Sequence, residues 1–276
     1  MITYNPKDWS FFIFKMKKVD TLLKLSPILA FITLYSMLVI YLLKEFLPEE
    51  LRPYCEKLTI IHSLMGFVIS MLLVFRTNTA YDRWWEGRKV WGSLINTSRN
   101  LYVKFNNLIN DKATIIKLNK LLVDFAEALK THLRKEKKTV QNVHEPLHIT
   151  NYLYKEIVEL HKSNSINDVQ FLVINNDLQL LMDYTGMCER IHNTPIPYIY
   201  STFIKKFIFF YVMSLPFALA FNLSYSGVIV GVFIFYVLAS LETIAEEIED
   251  PFGTDPNDLP LEVYITIIKK SSEELL

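Results

Sequence analysis

The chain has 276 residues, 51% of them hydrophobic, and its 29 basic and 29 acidic residues leave zero formal net charge. No nucleic-acid partner is expected of such a balance. The apolar residues are gathered into long runs instead of being spread as periodic stripes, which argues against a soluble domain and for a membrane protein.

The N-terminal segment, residues 1–24, carries Lys7, Lys15, Lys17, Lys18 and Lys24. It does not read as a cleavable signal, because the oily stretch behind it is too long and no small-residue cleavage site follows. Residues 25–83 hold two predicted transmembrane helices. Leu25–Leu43 runs about 19 residues without a charge, and Leu58–Phe75 runs about 18 with His62 as its ionisable group; about 18 apolar residues cross a hydrocarbon core of ~30 Å. Two more helices are predicted in residues 201–243. Phe207–Leu241 is about 35 residues without a charge, long for one span and short for two, but "FNLSYSG" (Phe221–Gly227) interrupts it as a polar turn. Two spans become feasible if the first starts near Ile204, with Lys205 and Lys206 snorkelling to the interface. A single re-entrant or strongly tilted helix is the alternative.

Orientation follows from the flanks. The first loop sets Lys44, Arg52 and Lys57 against Glu45, Glu49, Glu50 and Glu56, whereas Arg76, Arg83, Arg88, Lys89 and Arg99 follow span two. Excess Lys and Arg stay inside, so both termini and the central segment are predicted to be cytosolic in a multi-pass cell-membrane protein. Cys55 then lies outside and Cys188 inside, so the two cannot pair.

The central region, 84–200, is polar with helical apolar spacing at Leu118, Leu121, Leu122 and Phe125, and again over Leu153–Leu160 and Leu178–Met187. The run "RKEKK" (Arg134–Lys138) reads as a solvated helix end, with lipid headgroup contact the sharper option. "HEPLH" (His144–His148) matches a zinc-protease pattern that needs both His on one continuous helix. Pro146 between them breaks that helix or starts a new one with His144 outside it, so a loop before a helix is expected and no metal. No Walker loop, dinucleotide fingerprint or nucleophile elbow is present, and no enzyme activity or cofactor is expected. "GVIVG" (Gly227–Gly231) and Gly66 with Ser70 read as close helix–helix packing. The C-terminal segment is 244–276. The fold class is all-α.

The exit of span two, "FRTNTAYDRWWEGRKVWG" (Phe75–Gly92), is dense in aromatics and charges. Phe67, Met71 and Phe75 recur every four residues and share one helix face. An ordinary packing or lipid-facing stripe explains that spacing, and so does a hydrophobic constriction of several such helices around an axis. Trp84, Trp85 and Trp91 suit an interfacial belt, and Arg83 and Glu86 have the spacing of an on-helix ion pair.

This stretch, "NTPIPYIYS" (Asn193–Ser201) before span three, and "EEIEDPFGTDPNDLPLE" (Glu246–Glu262) after span four resemble, in that order, the bacterial branch of the bestrophin family. The resemblance implies a homopentameric ion channel with one central pore. Counted back from Arg83-Trp84-Trp85, the family's neck falls on Phe67, Met71 and Phe75, and its cytosolic restriction on Ile196. Arg83, Trp84, Trp85 and Glu86 become the collar where a pore-lining helix leaves the membrane. In eukaryotic members the motif after span four continues into consecutive acids that clasp calcium. Here the acids are Asp250, Asp255 and Asp258, broken by Pro256, and a helix-ending turn that organises subunit contacts is expected in place of a clasp.

The implied partners are small monovalent ions, membrane lipid and further copies of the chain. Apolar rings carry no charge, so selectivity must come from pore width, backbone dipoles or charges at the mouths, with Asp82, Arg83 and Glu86 as candidates. The bacterial branch tilts the expectation towards cations over chloride. A non-conducting membrane scaffold is the alternative function.

Overall fold

A computed structural model describes residues 21–134 and 143–275. Most of the N-terminal segment, including Lys7, Lys15, Lys17 and Lys18, and all of "RKEKK" except Arg134 lie outside the described residues. Among those described, eight α-helices follow in order: α1 Thr21–Phe46, α2 Arg52–Leu108, α3 Lys112–Leu133, α4 Glu145–Lys162, α5 Asp168–Asn193, α6 Tyr198–Leu219, α7 Ser226–Glu249 and α8 Leu261–Glu273. Among the described residues, four helical stretches are long and apolar enough to cross a membrane, in α1, α2, α6 and α7. The described residues divide into two compact units: an apolar one of 21–82 and 196–249, and a polar one of 83–134, 143–195 and 250–275.

The 35-residue apolar run is two helices. α6 ends at Leu219, the chain turns over residues 220–225, and α7 begins at Ser226. Ser224 takes the left-handed conformation (φ 54°) that such a reversal needs, and Lys44 of α1 contacts its hydroxyl. Within the apolar unit Ile32, Ile69, Leu73, Ile204, Ile208, Val212, Leu215, Phe235 and Leu238 form one buried cluster. Small residues have unequal roles there. A Cβ on Gly66 would stand 2.8 Å from the Tyr211 hydroxyl, so α2 and α6 approach closely at that point. In "GVIVG" a Cβ on Gly227 would stand 3.0 Å from Leu219 Cβ, so α7 packs closely on the end of α6 there, whereas a Cβ on Gly231 would meet no described residue within 4 Å. His62 bonds between helices, its Nε2 lying 2.8 Å from Ser214 Oγ.

The polar unit closes around Trp91, Leu101, Tyr102, Phe105, Phe125, Ile174 and Phe252, all fully buried. Three of its helices start with a side-chain cap. Asp111 accepts from the backbone N–H groups of Ala113 and Thr114 to cap α3, and Asn167 and Gln170 form a reciprocal capping box on α5. His144 caps α4, with Pro146 in its first turn, so the two histidines of "HEPLH" are not on one helix. Two expectations need correction. Trp91 is no interfacial residue: it is 0% exposed and packs at 6.1 Å from the Tyr264 ring. Arg134 is no solvated helix end, because its side chain reaches the Phe252 carbonyl at 3.2 Å and pairs with Glu262.

Candidate ion pathway

α2 runs 57 residues without a break, although its apolar part ends at Phe75. Its part in the apolar unit has two unlike faces. Ile69, Leu73, Arg76 and Ala80 recur at helical spacing and are 0–2% exposed. On another face Phe67, Met71 and Phe75 are 67%, 51% and 54% exposed. Three large apolar side chains in file are therefore left uncovered by the other described residues. Asp82, seven residues beyond Phe75, lies on that same face and is also exposed.

Directly after Phe75, the chain turns a charge inward. Arg76 is 1% exposed; its Nη2 donates to Glu249 Oε2 at 2.6 Å and its Nε lies 3.7 Å from Glu242 Oε2. Glu242 and Glu249 are seven apart on α7 and so share one face. A guanidinium taken out of water requires such partners, since an isolated buried charge costs several kcal/mol. The second oxygen of Glu249 is engaged elsewhere, for Oε1 accepts the backbone N–H of Ile196 at 2.7 Å. One carboxylate thus joins the residue after Phe75 to Ile196, the half-buried residue between Pro195 and Pro197. Pro195 and Pro197 offer no N–H groups, so Ile196 supplies the donor of that tripeptide. This network was missed in the sequence, where Arg76 reads only as a flanking positive charge. The seven-residue spacing of Glu242 and Glu249 was the available signal.

The collar residues Arg83, Trp84 and Glu86 reach other parts of the polar unit. Arg83 donates to the carbonyls of Ile191 and Thr194, both at 2.5 Å, at the C-terminal end of α5. Helix ends leave such carbonyls without intrahelical donors, and a cation suits the negative end of the helix dipole. Glu86 pairs with Arg190 on the same helix. The Trp84 indole N–H donates to the Asn257 carbonyl at 3.0 Å, and its ring stacks with Trp85 at 6.5 Å. The collar therefore ties the second part of α2 to the end of α5 and to the loop before α8.

That loop carries the three acids. Asp250 and Asp255 are exposed, whereas Asp258 is 3% exposed and its Oδ2 accepts the Asp255 backbone N–H at 2.6 Å. The loop packs tightly on α2, since a Cβ on Gly87 would meet Phe252 and Pro251 at 3.2 Å. Asp250 also lies 3.5 Å from His192 Nδ1.

Comparison with known proteins agrees with this architecture. A family model described as bacterial and fungal bestrophin matches residues 1–274. A protein of Nostoc sp. named as a voltage-dependent anion channel-forming protein is 37% identical over 233 residues, 76% of this chain and 75% of that one. Escherichia coli YneE, which carries the same descriptive name, is 31% identical over 269 residues, covering 91% and 86%. The crystal structure of a bacterial bestrophin homologue from Klebsiella pneumoniae superposes with a TM-score of 0.80 at 28% identity, over 90% of this chain and 97% of that one. On these matches the chain belongs to the bacterial and fungal bestrophin family.

Proposed function

We propose that the protein is a bestrophin-type ion channel, a homopentamer with both termini cytosolic, that passes small monovalent ions through a central pore with a hydrophobic neck. The observation that carries this reading is the uncovered file of Phe67, Met71 and Phe75 on α2. Five copies of that face around an axis make stacked apolar rings, a barrier that gates by dewetting. The names of the curated relatives, which state channel formation, support the same reading. Ile196 is the second restriction, positioned through its N–H by Glu249. The segment holding Asp250, Asp255 and Asp258 acts as a turn that organises contacts, since one oxygen of the Asp258 carboxylate accepts the Asp255 N–H within it.

For the permeating charge, cations are the first reading. Asp82 continues the neck face and is exposed, so five copies place a ring of carboxylates below the neck. Anions are the second reading, favoured by the relatives' names. Current through purified protein in a planar bilayer under a NaCl gradient separates them by the sign of the reversal potential. Cation selectivity predicts a reversal potential near that of sodium, moving towards zero in Asp82→Asn. A chloride-like potential selects the second reading, and silence of both proteins returns the chain to a scaffold role.

A further inference from the structure

We propose that His132, His144 and Glu189, all in the polar unit, form a binding site for a divalent transition metal of the zinc type. The three side chains come from the last turn of α3, the cap of α4 and the body of α5. His132 Nε2 and His144 Nε2 lie 2.7 and 2.8 Å from the same oxygen, Glu189 Oε1, and all three ligand atoms are within 4.8 Å of one another. The two rings stand 4.6 Å apart, tilted by 37°. Two imidazole nitrogens and one carboxylate oxygen converging on one point are the donor set of an open zinc site, in which water takes the fourth position. Hard cations such as calcium and magnesium want six or more oxygens, and this set offers one.

The geometry asks for little movement. Tetrahedral zinc with ligand distances near 2.0–2.1 Å separates neighbouring ligand atoms by about 3.4 Å, so the nitrogens and the oxygen must spread by roughly 0.6 Å. Side chains exposed to 29–32% have that freedom and give the ion a way in. A metal bound at Nε2 takes the lone pair there, so each ring then carries its N–H at Nδ1. In His144 this has a consequence, because Nδ1 accepts the Leu147 backbone N–H as the cap of α4. Occupation of the site trades that cap bond for a metal bond, at about a fivefold cost in affinity. The site is legible only in three dimensions, since Glu189 is 57 residues from His132 and 45 from His144.

The test uses the full chain, purified in detergent, with zinc in equilibrium dialysis and cobalt as a spectroscopic probe. One zinc per chain is expected, with tetrahedral cobalt absorption bands and a raised unfolding temperature in zinc. His132→Ala, Glu189→Gln and His144→Asn should each weaken binding at least about 100-fold, since loss of an outer partner alone costs up to that much. Asparagine is a good helix cap, so His144→Asn removes the ligand while keeping α4 capped, and its helicity by circular dichroism should equal the wild type's. Failure of the wild type to take up zinc overturns the site. So does undiminished binding in any one of the three variants.

Discussion

The two units hold themselves together differently. In the polar unit the core is apolar, with Trp91, Phe105, Phe125 and Phe252 wholly buried, and an ion pair such as Arg134–Glu262 sits at the rim with Glu262 59% exposed. In the apolar unit one ion pair lies inside, although others such as Lys205–Glu246 stay at the surface: Arg76 is 1% exposed, Glu242 is buried and Glu249 is half-buried, while Phe67 and Phe75 face outward. Burial of apolar area drives the first arrangement. Among helices surrounded by lipid that drive is absent, and close packing and polar contacts between helices specify how they meet. Gly66 against Tyr211, His62 against Ser214 and Arg76 against Glu249 are contacts of this type. An apolar side chain in such a unit is free to face outward, where it becomes available to a pore, to lipid or to another copy.

The contrast is breakable by substitution. The largest losses are expected where each unit places its characteristic group. Arg76→Ala leaves the buried Glu242 and the half-buried Glu249 without that cation and should cost about 3–5 kcal/mol. Trp91→Ala should cost a similar 3–5 kcal/mol through the cavity it leaves in the polar core. Thermal unfolding of the detergent-solubilised protein measures both, and an Arg76→Ala protein as stable as the wild type contradicts the inward charge. Asn167→Ala removes half of the capping box on α5 and should cost about 1 kcal/mol, read in the same experiment.

The smallest effect concerns the rim. The Arg134 guanidinium bonded to Glu262 holds its carboxyl below the ordinary glutamate value of 4.5. The unfolded chain therefore binds that proton more readily, and the pair stabilises the fold fully above pH 4.5, losing its contribution as pH falls through the lower folded-state value. Exposure and screening keep the effect under about 1 kcal/mol. Glu262→Gln should flatten that part of the acid stability profile, and an unchanged profile contradicts the pair's role.

Much of the apolar unit was legible because a 3.6-residue helix in lipid leaves uncharged runs of a fixed minimum length. "FNLSYSG" marked its reversal, and the four-residue spacing of Phe67, Met71 and Phe75 marked their common face. What was not legible came from continuity and distance. The switch from apolar to charged at Arg76 reads as the end of an element, yet no proline lies between Tyr54 and Leu108 and α2 runs on. Trp91 looked interfacial by its neighbours Trp84 and Trp85, but seven residues further along the helix it meets Tyr264, which the local pattern does not reveal. The Glu249 bridge and the meeting of His132 with Glu189 join residues over 50 positions apart, beyond any periodicity.

The neck is tested most directly by single-channel conductance of Phe75→Ala beside the wild type, with both proteins shown to form the same oligomer. Phe75 is 54% exposed, so its loss should change stability by less than about 0.5 kcal/mol. If the file lines the pore, the variant should conduct several-fold more current, because a ring of the dewetting barrier is gone. Equal conductance from intact oligomers would contradict the account and assign Phe67, Met71 and Phe75 to lipid or to packing between copies.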